Sequence, residues 1–120
     1  MTNTPPSRGE VWMVRFDPAI GDEQQKIRPA VVVSVPSVGR LQLRVVVPLT
    51  HWQARYAAFA WFTYVPATPT NGLTKDSGAD AFQVKSLSVQ RFRQRKGSLT
   101  AAQMDEIASA IALCVGFSCP

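Results

Sequence analysis

From Val11 to Leu87 the chain is a series of short β-branched and aromatic runs, each closed by proline or glycine. Val11-Trp12-Met13-Val14-Arg15-Phe16 puts Trp12, Val14 and Phe16 on one face under a two-residue repeat, and Asp17-Pro18 stops it. A second strand is expected from Pro29 to Ser34. Its core, Ala30-Val31-Val32-Val33, is apolar at every position, which suits a strand covered on both faces, with Pro29 tolerated only at its start. Leu41 to Val47 reads as a third strand closed by Pro48, which leaves Thr50 and His51 in the loop that follows. Ala57 to Val65 is a fourth and Phe82 to Leu87 a fifth. Strands this short, joined by Pro/Gly turns, predict a small barrel of five or six strands.

The period changes near the C-terminus. Thr100-Ala101-Ala102-Gln103 has the spacing of a capping box. Met104, Ile107, Ala108, Ile111 and Val115 then recur at helical intervals, and Gly116 is a stop signal. The fold class is therefore mainly β with one C-terminal helix at about 100–116. Residues 1–8 are expected to be a disordered tail and residues 9–117 a single domain.

Charge points to a class of partner. Thirteen basic and eight acidic residues give a formal charge of +5, which favours a polyanion, most simply nucleic acid. No apolar run is long enough to span a membrane, and the N-terminus lacks the apolar core of a signal peptide, so a cytoplasmic location is expected. Cys114, Cys119 and the single histidine, His51, form no set with metal spacing; no metal or other cofactor is expected.

Arg28-Pro29 leads straight into the apolar run, after the polar segment Gly21-Asp22-Glu23-Gln24-Gln25-Lys26. A guanidinium at the mouth of a buried strand, beside a polar loop, offers a fixed fork of donors to a phosphate. The alternative is a surface arginine paired with Glu23.

The order of these pieces resembles the MazF/PemK family of toxins from bacterial toxin–antitoxin pairs. The resemblance is carried by Arg8-Gly9-Glu10-Val11-Trp12, Asp17-Pro18, Gly21, Glu23-Gln24 and Arg28-Pro29-Ala30-Val31-Val32-Val33-Ser34. It continues through Val47-Pro48-Leu49-Thr50, Asn71-Gly72-Leu73-Thr74-Lys75-Asp76-Ser77, Gln83-Val84-Lys85-Ser86-Leu87 and Gly97-Ser98-Leu99. It implies an SH3-like barrel that forms a homodimer and cuts single-stranded RNA at short sequences without metal. The ribose 2′-OH would attack, leaving 2′,3′-cyclic phosphate and 5′-OH ends. It also implies a cognate antitoxin of the MazE type, with an acidic disordered tail that covers the RNA site. A relative of the same fold inhibits DNA gyrase and cuts nothing, which is the alternative reading; a plain partner-binding module is a third.

The resemblance assigns Arg28 and Thr50 as the catalytic pair. His51 is a candidate acid or base, although adjacent residues of an extended chain point opposite ways. Glu23, Gln24, Trp52, Arg55 and Lys85 are candidate RNA-binding residues, with Trp52 and Tyr56 open either to base stacking or to a dimer seam. The aromatic content of the fourth strand (Phe59, Trp61, Phe62, Tyr64) exceeds what a small core needs and points to a dimer. PemK-type members carry acid–base residues where this chain has Asp22, Asp80 and Phe82, so that set is absent here. The basic run Arg91, Arg93, Arg95 and Lys96 is read as a solvated edge or as a track for the RNA backbone.

Overall fold

The computed structural model describes residues 4–16, 27–36, 38 and 42–117. Seven strands form one antiparallel sheet: β1 (Glu10–Arg15), β2 (Ile27–Val32), β3 (Leu43–His51), β4 (Phe62–Val65), β5 (Ser77–Asp80), β6 (Lys85–Ser88) and β7 (Phe92–Ser98). The order is β4-β5-β3-β2-β1-β7, with β6 also paired to β3, and helix α1 (Ala101–Cys114) follows the last strand. The architecture is mainly β with a C-terminal helix, and it is compatible with a small open barrel. No helix among the described residues is long and apolar enough to cross a membrane.

β3 organises the sheet. One flank pairs with β2; the other pairs first with β6, over Leu43–Val46, and then with β5, over Leu49–His51. Between those two ladders the register slips by three residues, which the 3-10 turn Ala81–Gln83 takes up. Pro48 falls in the gap between the ladders, so the strand continues through it to His51 where that flank has no ladder to break. Thr50 and His51 are thus strand residues, not loop residues. Pro29 likewise lies inside β2, beside β1 alone, because the β2–β3 ladder begins only at Ala30. Arg28 is therefore part of the strand and not at its mouth.

Both faces of the central strands are covered, which is why Ala30 to Val33 is apolar at every position. One face packs Val11, Val31, Val47 and Leu49 against Val65, Ala79 and the helix residues Met104 and Ile107. The other gathers Val14, Ala30, Val32, Val46 and Leu87, with Trp12, Phe16 and Phe92 at its margin. Each fully buried valine contributes about 1.5–3 kcal/mol relative to exposure.

The helix starts as its sequence specifies. Thr100 Oγ1 accepts from the Gln103 backbone N–H at 3.1 Å, and Gln103 Oε1 accepts from the Thr100 N–H at 2.9 Å. It ends at Gly116, whose φ of 79° suits glycine. The buried stripe is Met104, Ile107 and Ala110; Ala108 is exposed, and Val115 lies past the last turn with 75% of its surface exposed.

Three further elements differ from the sequence reading. The fourth strand is only Phe62–Val65, because Ala54–Ala58 winds into a 3-10 turn. Phe82 and Gln83 belong to the turn before β6. Of the basic run, Arg91 closes the 3-10 turn Val89–Arg91, while Arg93, Arg95 and Lys96 lie along β7, an edge strand of the sheet, where Arg95 pairs with Glu10 at 3.2 Å. At the N-terminus, Pro6 is buried and its carbonyl accepts from Arg44 Nε at 2.8 Å, while Arg8 Nη1 donates to the Val33 carbonyl. These contacts anchor the end of the segment read as a tail.

Candidate functional site

Thr50 stands near the end of β3, where the strand leaves the β6 ladder and joins β5. It is half-buried and lies opposite Gly78. The last β2–β3 pair is Ala30 with Pro48. Carrying that register on by two residues sets Arg28 across from Thr50, on the same face of the sheet. Arg28 is exposed and pairs in the sheet with Val14, and its guanidinium has no hydrogen-bond or ion-pair partner among the described residues. Glu23 and Gln24, together with Asp22, lie outside the described residues.

Lys85 joins this face from the other flank of β3, opposite Val46. Its Nζ lies 5.5 Å from the centroid of the Phe16 ring, within range of a cation–π contact. Phe16 follows β1, and β2 and β3 run between β1 and β6. The contact therefore reports a sheet curled so that its far strands meet over this face. Arg28, Thr50 and Lys85 share the face by register, with the Phe16 ring beside Lys85.

His51 is opposite Ser77, one residue on, and alternation turns it to the other face. Asp76, beside it, ties three elements together. Its Oδ2 accepts from the Tyr64 hydroxyl at 2.9 Å, its Oδ1 from the Ala67 N–H at 2.9 Å, and its carbonyl from the Trp52 N–H at 2.9 Å. The Ala67 N–H first, and the Tyr64 hydroxyl second, hold the Asp76 carboxyl below its ordinary range, and the accepted bond raises the Tyr64 phenol. Sequence reasoning gave Asp76 no role; its place in Lys75-Asp76-Ser77 was the one available signal.

Trp52 opens a continuous aromatic surface. Its ring lies 4.9 Å from Tyr64 and 5.8 Å from Tyr56. Tyr56 stacks on Phe62 at 4.1 Å, and Arg55 lies over Tyr56 at 5.5 Å. Phe59 stacks on Trp61 at 4.8 Å, and Trp61 reaches Phe82 at 6.1 Å. Gly78 makes room for this surface, since a Cβ there would sit 2.9 Å from the Phe62 ring and 3.0 Å from the Trp52 ring. The strand-four aromatics thus pack mainly on one another.

Asp80 and Phe82 occupy positions where PemK-type members are expected to carry acid–base residues. Asp80 caps its own 3-10 turn, accepting from the Phe82 N–H at 3.2 Å, and burial pushes its carboxyl above the usual range against that bond. In the basic run, Arg93 Nη1 donates to the Gln90 carbonyl at 2.8 Å and Arg91 Nη1 to the Arg15 carbonyl at 3.5 Å.

A sequence model described as the PemK-like, MazF-like toxin of type II toxin–antitoxin systems matches residues 7–115. The chain is 34% identical over 112 residues to the endoribonuclease MazF9 of Mycobacterium tuberculosis, covering 88% of this chain and 92% of that protein. In fold it is similar to MazF of Deinococcus radiodurans, with a TM-score of 0.76 at 21% identity over 96% of this chain and all of the other. It is also similar to a mycobacterial endoribonuclease solved with its cognate antitoxin, with a TM-score of 0.74 at 22% identity over 96% of this chain and 99% of the other.

Proposed function

The chain belongs to the PemK-like, MazF-like toxin family of type II toxin–antitoxin systems, and from that premise we propose that it is a cytoplasmic endoribonuclease cutting single-stranded RNA at short sequences. What supports this reading is the β2–β3 register: continued two residues past its last pair, Ala30 with Pro48, it brings Arg28 and Thr50 to one face, the face that Lys85 shares. RNA brings its own nucleophile. The 2′-oxygen forms a bond to the adjacent phosphorus as its proton passes to solvent water, the bond from phosphorus to the 5′-oxygen breaks, and that oxygen takes up a proton from water. The products are a 2′,3′-cyclic phosphate and a 5′-OH. Arg28 grips two phosphoryl oxygens and stabilises the charge that builds on them; Thr50 donates its hydroxyl to the same phosphoryl group. The planar fork of Arg28 serves here as an electrostatic clamp on the phosphoryl group.

Two partners complete the reading. A homodimer is supported by the uncovered apolar end of α1, where Leu113, Val115 and Phe117 are 52%, 75% and 64% exposed. A cognate antitoxin with an acidic tail is supported by the net charge of +5 and by the fold's likeness to a toxin solved with its antitoxin.

The test is to incubate single-stranded RNA with the protein in EDTA and map the ends. Cleavage with cyclic-phosphate and 5′-OH ends is expected, and Arg28→Ala should lower the rate by about 10²–10³ while the fold survives. An Arg28→Ala protein as fast as wild type would remove Arg28 from the site. Inhibited supercoiling with intact RNA would favour the gyrase-directed alternative.

A further inference from the structure

Phe82 is the most exposed ring among the strand and turn aromatics, with 68% of its surface open. It stands at the centre of the Ala81–Gln83 turn and contributes nothing to either core cluster. Yet its backbone is fixed. Asp80 caps its N–H, Val84 N–H closes the turn on the Ala81 carbonyl at 3.2 Å, and Ala81 N–H ties it to the Trp61 carbonyl at 3.2 Å. Phe82 is thus an exposed apolar ring on a hydrogen-bonded turn, its centroid 6.1 Å from that of Trp61, with Phe59 stacked on Trp61.

The turn lies between two functional flanks. On one side Gly78 faces Thr50; on the other Lys85 faces Val46. The ring surface runs without a break from Trp52, two residues past Thr50, to Phe82. From Trp52 to Val65 the sequence holds one cation, Arg55, and no carboxylate.

We propose that Phe82, with Trp61 and Phe59, forms a stacking site for one unpaired nucleobase of the bound RNA strand, a site that selects substrates beyond the scissile phosphate. The inference rests on the endoribonuclease reading above. Every base has a π face, and a rigid ring beside cations is how unpaired bases are held.

The experiment uses single-stranded RNA with 2′-O-methyl ribose, which binds without being cut, and a set of the same strand with one base removed at each position in turn. Wild type should lose affinity sharply at one position away from the scissile step. Phe82→Ala should bind the intact strand about 5- to 150-fold more weakly and be indifferent to the missing base at that position, and Phe82→Trp should restore both. An unchanged affinity and an unchanged profile in Phe82→Ala overturn the proposal. So does a Phe82→Ala protein that sediments as a smaller species than wild type, which would make the patch a seam between copies. Wild type that neither binds nor cuts any RNA overturns the endoribonuclease reading itself, an outcome distinct from both.

Discussion

Gly78 lies directly opposite Thr50, and the rings of Phe62 and Trp52 fill the space a side chain at Gly78 would need. The glycine is thus tied to its neighbours by close approach, and its backbone needs no unusual angle. Gly78→Val should force both rings off their seats. We expect a loss of about 1–3 kcal/mol in denaturant unfolding, with RNA cleavage falling further than stability explains, because Gly78 faces Thr50 and Trp52 follows Thr50 by two residues. Cleavage at the wild-type rate in a folded Gly78→Val protein would show that the aromatic surface does not support the site.

Substitutions at Thr50 separate its hydroxyl from its shape. Thr50→Ser keeps the donor and should retain most activity. Thr50→Val keeps the volume and should lose about 10²–10³ in single-turnover rate. Equal rates in the two variants would exclude a role for the hydroxyl.

Arg28→Lys keeps the charge and loses the fork. A point charge cannot hold two phosphoryl oxygens at once, so this variant should stay close to Arg28→Ala in rate. Its binding to uncleavable RNA should nevertheless keep the wild-type slope against salt. Recovery of the wild-type rate would mean that charge alone is needed at this position.

Asp76 gives the fold an acid-sensitive tie. Its carboxyl is held below the ordinary value of 3.8 by the Ala67 N–H and the Tyr64 hydroxyl. The stabilisation it provides is therefore complete above that value and fades as pH falls below it toward the lower folded-state value. The Tyr64 phenol is raised above 10.0, so its share persists through neutral pH and fades only as pH rises past its raised value. Urea unfolding of wild type against Asp76→Asn should show a gap at neutral pH that narrows below about pH 4. A gap that stays constant down to pH 2 would refute the assignment.

Asn71 is buried, with Oδ1 accepting from Thr68 and Leu73 N–H groups and Nδ2 donating to the Pro66 carbonyl. The turn it builds presses on β7: a Cβ on Gly97 would meet the Thr70 carbonyl at 2.1 Å. Asn71→Ala strands those partners and should cost about 1–3 kcal/mol. Thermal unfolding would show it; an unshifted midpoint would contradict the hydrogen-bond count.

Much of this was legible in the sequence because local chemistry and tertiary structure agreed. Val11 to Phe16 alternates and forms β1; Ala30 to Val33 is apolar throughout because both faces of β2 and its continuation are covered; Thr100 and Gln103 form the cap their spacing specifies. Reading failed where a distant neighbour decides the residue. Ser77-Gly78-Ala79-Asp80 has no strand propensity, yet it is a strand because bulky rings and the core leave room only for small side chains. Pro29 and Pro48 look like strand ends but lie where one flank has no ladder. At the site, residue types were readable from motifs, whereas the shared face of Arg28, Thr50 and Lys85 follows from register that no single segment encodes. Asp76 and Phe82 drew no role because their partners come from distant segments.

The slip at Ala81–Gln83 separates two kinds of change. β5 and β6 are each pinned to β3 by their own ladder, so residues inserted or exchanged between them shift neither register. Chemistry next to Thr50 can be rewritten there while the scaffold holding Arg28 and Thr50 stays as it is, which makes this short arc the natural place for one toxin to diverge from another in the RNA it attacks.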